Sequence, residues 1–259
     1  MSETPNKIED PRSEPCLRLA WDSEFFGLSV ARVQASALQL QSARAVRDWA
    51  VAEAVECVYF LNEPITQASV SAALEVGFRE IDVRVELELT LEQGAPAEST
   101  PSPDIGPAQD QERAAVASMA RGLHLDSRFF EDPNIRDERA RELYARWVQN
   151  AFRTPADEVL VARVDGRPAG YVACQMEADE QGPIGRIGLI GVSPQAQGAG
   201  LGNALIQSSI EWFRSHGAGR VRVVTQGRNE GALRLYTRAG FSPYKRSAWL
   251  HLWALRPTD

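Results

Sequence analysis

The run Val192 to Leu205 reads VSPQAQGAGLGNAL and sets Gly198, Gly200 and Gly202 at alternate positions, with apolar stretches before and after it. Glycine reaches positive φ without strain and lets a main chain come close to a ligand. A helix starting here adds unpaired N–H groups and the positive end of its dipole, and both favour an anion such as phosphate. A second candidate pair lies downstream, where Asn229 and Tyr236 are seven residues apart and share one face of a helix. Two familiar phosphate sites do not fit. A Rossmann site wants G-x-G-x-x-G early in the chain and an acidic residue at the end of the next strand. Here the pattern is G-x-G-x-G, it comes late, and the next strand ends in Thr225-Gln226. A P-loop needs Gly-Lys-Ser/Thr, a tripeptide this chain lacks.

The elements that must hold these residues can be read from periodicity. The spacing predicts a strand over 30–33, a helix over 37–54, a buried strand at CVYFL and a helix over 66–76 that stops at Gly77. Alternation from Ile81 to Leu91 is the strongest strand signal in the chain. Gln93 to Asp110 is rich in proline and small polar residues and reads as a linker. Helices follow over 110–121, with Asp110 as its cap, and over 137–152. EVLVARV and AGYVACQME flank the hairpin signal Asp165-Gly166, and a turn at DEQG leads into IGRIGLIGV. A helix over 200–216, the strand RVRVVTQ, a helix over 229–239 and two closing strands complete the order. Gly188 and Gly191 interrupt a β-rich run, which predicts a bulge or a close backbone approach.

The implied class is α/β (α+β), with a mixed sheet flanked by helices and a smaller α/β domain before it. The expected division is a disordered lead over 1–15, an N-terminal domain over 16–95, a linker over 96–108 and a second domain over 109–259. ALEVGFREIDVRVELEL and LYTRAGFSPYKRSAWLHL both run from a helix end through Gly-Phe into a long strand. Distant duplication and independent use of one helix stop both account for this echo.

Gln197-x-x-Gly200-x-Gly202 after Val192-x-Pro194 resembles the pyrophosphate loop of the GNAT superfamily of N-acetyltransferases. NEGALRLYTRAGF resembles the same superfamily's later pattern at Asn229, Ala232, Leu235, Tyr236, Gly240 and Phe241. The likeness covers about 105–255. It implies acetyl-CoA as co-substrate and direct transfer to an amine in a ternary complex, with no metal. It also implies that the main chain of Gln197, Gly198, Ala199, Gly200, Leu201, Gly202 and Asn203 cradles the CoA pyrophosphate. Pantetheine then lies along Ile190, Gly191 and Val192, with Asn229 binding it or capping its helix. Tyr236 is the implied acid that protonates the departing thiolate. Glu177 is a candidate base, although a strand-edge carboxylate is the plainer reading, and His251 reads as a packed or surface histidine.

WDSEFFGLSVARV and SRFFEDPNIRDERARELYARWVQNA further resemble GNAT enzymes that acetylate the 4-amino group of dTDP-linked amino-deoxy sugars. On that reading Arg128 and Phe129 meet the acceptor, an arginine suiting a diphosphate and an aromatic ring a base. Another amine remains open as acceptor (an amino acid, polyamine, aminoglycoside or protein N-terminus), as does a non-catalytic CoA-binding module.

Composition narrows the classes. The 259 residues are 44% hydrophobic, enough for a sizeable core, and a net charge of −7 disfavours broad binding to nucleic acid or anionic membrane. Cys16, Cys57 and Cys174 show no metal-ligand spacing and read as reduced thiols. The N-terminus has no signal-peptide core and no apolar run reaches membrane-spanning length, so the expected location is the cytoplasm. A homodimer is left open.

Overall fold

The structure is a computed structural model that describes residues 14–91, 104–154 and 157–255. In chain order the first elements are β1 (Cys16–Arg18), α1 (Ala20–Phe26), β2 (Val30–Val33), α2 (Leu40–Ala52), β3 (Cys57–Asn62), α3 (Gln67–Glu75) and β4 (Arg79–Thr90). Then come β5 (Asp104–Pro107), α4 (Arg113–Gly122), α5 (Arg128–Glu131), α6 (Asp137–Ala151), β6 (Asp157–Val164) and β7 (Arg167–Asp179). The last are β8 (Gly182–Val192), α7 (Leu201–Ser215), β9 (Arg220–Gln226), α8 (Glu230–Arg238) and β10 (Ser242–Trp253). Two compact units result, one of residues up to Ile81 plus those from Ser247 on, the other Asp82–Arg246. Both cuts fall inside strands, β4 and β10, rather than in the proline-rich stretch.

In the first unit β1 pairs antiparallel with β2, β2 parallel with β3, and β3 antiparallel with Ala248–Trp253 of β10. Helix α2 buries Ala43, Val46 and Ala50, spaced three and four apart, against Val58, Phe60 and Leu250. In the second unit the strand order is β4-β9-β8-β7-β6-β5. Within it β8 and β9 are parallel, and each other neighbouring pair is antiparallel. Alternation along β6 and β7 makes two cores. Val159, Val161, Tyr171 and Ala173 face α4 and α6 through Val116, Ala120, Tyr144 and Val148. Leu160, Ala162, Val172 and Cys174 face the side of α7 and α8, with Leu205, Ile206, Phe213 and Tyr236. Burying a side chain such as Phe213 contributes about 1.5–3 kcal/mol.

The two units share a pattern: antiparallel, parallel with a helix between, antiparallel. It runs β1-β2-β3-β10 in the first and β7-β8-β9-β4 in the second. The loop after β2, residues 34–39, holds no glycine, unlike the loop after β8. It is tied down instead. The Leu38 N–H donates to Ser69 Oγ at 2.8 Å, and Asn62 Nδ2 donates to the Ser36 carbonyl at 3.1 Å and to Ser69 Oγ at 3.0 Å.

Several expectations need correction. The two closing strands are one, β10. The end of the expected linker is a strand, β5, at the sheet edge, where a proline costs no ladder bond on the open side. Gln109, not Asp110, caps the turn before α4, its own N–H donating to Glu112 Oε2 at 2.7 Å, while Asp110 pairs with Arg113. Helix α1 was not expected at all. The lead over 1–13 and most of the linker lie outside the described residues.

Candidate active site

Strands β8 and β9 pair only from Ile184↔Arg220 to Ile187↔Val223. At that point β8 bulges: Cys174 opposes Ile187 and Ala173 opposes Leu189, leaving Gly188 as the extra residue. Beyond it β8 continues along β7 and β9 continues along β4, so the facing edges of 188–192 and 224–226 part. The Ser193 N–H donates to the Ala169 carbonyl on β7 at 2.8 Å. By strand alternation the main-chain groups of Val192 and Ile190 point the other way, into this gap. Gln197 Nε2 donates to the Val192 carbonyl at 3.2 Å, so the Gln197 side chain braces the loop and Ile190 keeps its polar groups for a guest. Gly191 lies opposite Tyr171 on β7.

The loop then makes a 3-10 turn, Pro194–Ala196, and enters α7 through Gly198 at φ 82° and Gly200 at φ 79°. Gly200 is the N-cap and brings no side chain, and the first intrahelical bond recorded at the start of α7 is Ala204 N–H to the Gly200 carbonyl at 3.1 Å. The N–H groups of Leu201, Gly202 and Asn203 are therefore left without an intrahelical acceptor, an arrangement that suits an anion. A side chain at Gly200 meets open space, so it is the left-handed backbone that demands glycine. That conformation costs an L-residue about 1–2 kcal/mol. With acetyl-CoA as the co-substrate that the sequence resemblance implies, Gly200→Val is expected to raise its KM about tenfold, since 1.4 kcal/mol is one decade, with kcat nearly unchanged. Steady-state kinetics at saturating amine checks this.

Asn229 caps α8, its Oδ1 accepting the Ala232 N–H at 2.9 Å, which leaves its Nδ2 for a ligand. Two turns on, Tyr236 is 3% exposed, with its ring centroid 5.8 Å from that of Phe241. Among the described residues its hydroxyl has no hydrogen-bond partner. Burial holds the phenol above its usual range, so it stays protonated.

On the other face, the Arg128 guanidinium sits 4.3 Å above the Phe129 ring. Phe129 is buried and meets Trp147 edge-on at 6.0 Å, so it supports Arg128 from within the core. Glu177 is ion-paired with Arg186 on β8, which ties up the candidate base. His251 belongs to the first unit, fully buried against Tyr59.

Sequence reasoning missed two groups. Arg228, in the turn before Asn229, reaches Asp82 Oδ1 on β4 at 3.2 Å and pairs with Glu131 on α5. Burial pushes the Asp82 carboxyl up to about 6, and Arg228 offsets this only in part. The second group is His124, whose Nε2 lies 2.7 Å from the Tyr171 hydroxyl and whose ring stacks on Tyr144. Burial lowers His124 to about 4, so it is neutral at physiological pH. Nothing in the local sequence marked Asp82, whose partner is 146 positions away.

The second unit thus holds a strand pair parted at a bulge, a glycine-lined helix start beside it and a buried phenol on the next helix. Residues 120–241 match the Acetyltransferase (GNAT) family. That segment belongs to the GNAT acetyltransferases. A crystal structure of a GCN5-related N-acetyltransferase from Sphaerobacter thermophilus has the same fold, with a TM-score of 0.61 at 18% identity over 94% of this chain and 78% of that one. Spore coat polysaccharide biosynthesis protein SpsD of Bacillus subtilis is 28% identical over 58% of this chain, which spans 50% of that relative. dTDP-fucosamine acetyltransferase of Escherichia coli is 26% identical over 90% of this chain and 96% of its own length. Mycothiol acetyltransferase of Nocardia farcinica is 31% identical over 53% of this chain, which spans 43% of it.

Among the described residues no helix is long and apolar enough to cross a membrane. Among the same residues no cluster of three or more His, Cys, Asp or Glu is placed to hold a metal ion.

Proposed function

We propose that the chain is an N-acetyltransferase that moves the acetyl group of acetyl-CoA directly to a primary amine, the 4-amino group of a dTDP-linked amino-deoxy sugar. The observation that carries the transfer reaction is the parting of β8 from β9 after Ile187 beside the glycine loop. Near-full-length similarity to dTDP-fucosamine acetyltransferase supports the acceptor. Acetyl-CoA supplies the activated acetyl group as a thioester. The open edge of β8 holds the pantetheine like an added strand through Ile190 and the Val192 N–H, and Asn229 Nδ2 binds it from the helix cap. The N–H groups from Gly198 to Asn203 hold the pyrophosphate.

The amine attacks the thioester carbon as a neutral group, so its proton must leave. We assign that proton to Asp82, which is buried, ionised above about pH 6 and paired with Arg228. As the C–N bond forms and the C–S bond breaks, Tyr236 gives its phenolic proton to sulfur. Arg128 meets the acceptor, and Phe129 fixes its guanidinium. The protein is cytoplasmic on this reading. The first unit, with its glycine-free loop tied to Ser69, is a degenerate GNAT half.

A thiol-release assay with acetyl-CoA and a panel of amines tests the reading. The panel is headed by dTDP-4-amino-4,6-dideoxygalactose and includes the free amino sugar, an amino acid, a polyamine, an aminoglycoside and a peptide. The nucleotide sugar is expected to exceed the others in kcat/KM by about a hundredfold or more, about 2.7 kcal/mol of differential binding. Equal or better turnover of another amine removes the sugar assignment. Tight CoA binding with no turnover on any amine removes the transferase.

A further inference from the structure

Arg228 is held at three points of the fold. The Gly227 N–H before it donates to the Val83 carbonyl of β4 at 2.7 Å, which fixes the turn against that strand. One side of its guanidinium meets Asp82 and another meets Glu131. Immediately after it comes Asn229, the cap of the helix that carries Tyr236. Arg228 thus stands between the proposed proton acceptor, the helix of the proposed acid and the α5 segment on the acceptor side.

Its two acidic partners are unlike. Asp82 lies on a sheet strand and is buried, so it cannot leave. Glu131 ends a helix of four residues, and its side chain is 41% exposed. A pair exposed to that degree contributes about 0–1 kcal/mol. A phosphate or carboxylate that engages a guanidinium through two parallel hydrogen bonds gains more. Exchange of Glu131 for a ligand anion is therefore downhill, whereas exchange of Asp82 is not. The site also needs such a cation, because the chain carries a net charge of −7 and any anionic acceptor must find a local positive group.

We infer that Arg228 recognises an anionic group, phosphate or carboxylate, on the amine-bearing acceptor, and that Glu131 occupies its guanidinium until that anion arrives. This rests on the proposed transferase reading and adds to it the residue that selects the acceptor. Asp82 then faces the amine while Arg228 faces the anion, so the two charges of the acceptor lie within one guanidinium's span of each other. Glu131 acts as an internal competitor that keeps neutral or cationic amines from gaining anything at this point.

The test uses the full chain saturated with CoA, so that the glycine loop is already filled. Titration calorimetry with dTDP, inorganic pyrophosphate and an α-amino acid follows binding to the wild type, Arg228→Met and Glu131→Gln. For whichever probe binds, Arg228→Met is expected to weaken it at least tenfold and Glu131→Gln to tighten it about three- to tenfold. Response to dTDP and pyrophosphate names a phosphate, and response to the amino acid alone names a carboxylate. The opposite signs are the decisive feature, because a merely structural latch predicts loss in both variants. Unchanged affinity in both, a change of the same sign, or no binding of any of the three probes to the CoA-loaded wild type overturns the inference. Glu131→Gln alters an exposed side chain and leaves the fold intact, so this arm stands even if Arg228→Met is unstable. Failure of the wild type to bind CoA in the first step refutes the transferase reading instead, which keeps the two failures apart.

Discussion

Tyr236→Phe is expected to lower kcat for acetyl transfer by about 10²–10⁴-fold, the range for loss of a general acid, with little change in the acetyl-CoA KM. The reason is the leaving group. A thiol of ordinary pKa near 8.5 departs poorly as a naked anion from a site that excludes water. The Tyr236 phenol is well suited to meet it, since burial keeps it protonated across the working pH range and its hydroxyl has no partner to surrender among the described residues. The same facts make the variant structurally mild. Phe keeps the ring against Phe241, and removing a hydroxyl without a hydrogen bond leaves no orphaned group behind. The unfolding midpoint should therefore stay within about a degree of the wild type. Stopped-flow kinetics separates the chemical step from product release. A Phe variant that turns over at wild-type rate means that water protonates the sulfur and that Tyr236 is only packing.

The donor side was legible in the sequence because its residue types are imposed by backbone conformation rather than by partners. Gly198 and Gly200 sit at positive φ, and Gly188 is the extra residue of a bulge, so each leaves a mark at its own position. Long alternating strands such as β4 and β7 were equally plain. Short elements at sheet edges were not. β5 holds Pro107 and reads as linker, yet an edge position accepts it, and seven-residue α1 shows too few turns for a period. Polar, exposed residues at the start of β10 split one strand into two on paper. The acceptor side was hidden for another reason. Asp82 alternates with Arg84, Glu86 and Glu88 and looks like one more residue of a solvated face. Its burial comes from the packing of strands and helices remote in the chain, and its partner Arg228 reads locally as a turn residue.

Asp82→Asn is expected to lower kcat/KM by about 10²–10³-fold and to erase the acid limb of its pH profile, a loss in the range of a removed general base. In the wild type that limb should centre near pH 6. Desolvation raises the carboxyl to that value, Arg228 lowers it through its charge and hydrogen bond, the Val83 backbone bond lowers it slightly, and Glu131 raises it. Tyr144 on α6 also feels this charge but stays neutral, its own phenol pushed up to about 12. Above pH 6 Asp82 is ionised and can accept the amine proton; below it the acid form cannot. Glu131→Gln should move the limb to lower pH, and Arg228→Met to higher pH, which separates a titrating Asp82 from a distant ionisation. The stability sign runs against the activity sign. A carboxyl raised from 3.8 to about 6 by folding binds its proton more tightly in the native state. Its contribution is therefore fully present below pH 4 and is lost as pH rises to about 6. At pH 7 the wild type carries that loss, and a neutral asparagine does not. Asp82→Asn should then melt at or above the wild-type temperature while losing the acid limb, the mark of a residue strained for function. Melting well below the wild type with the limb still in place shows instead that Asp82 serves only to anchor Arg228.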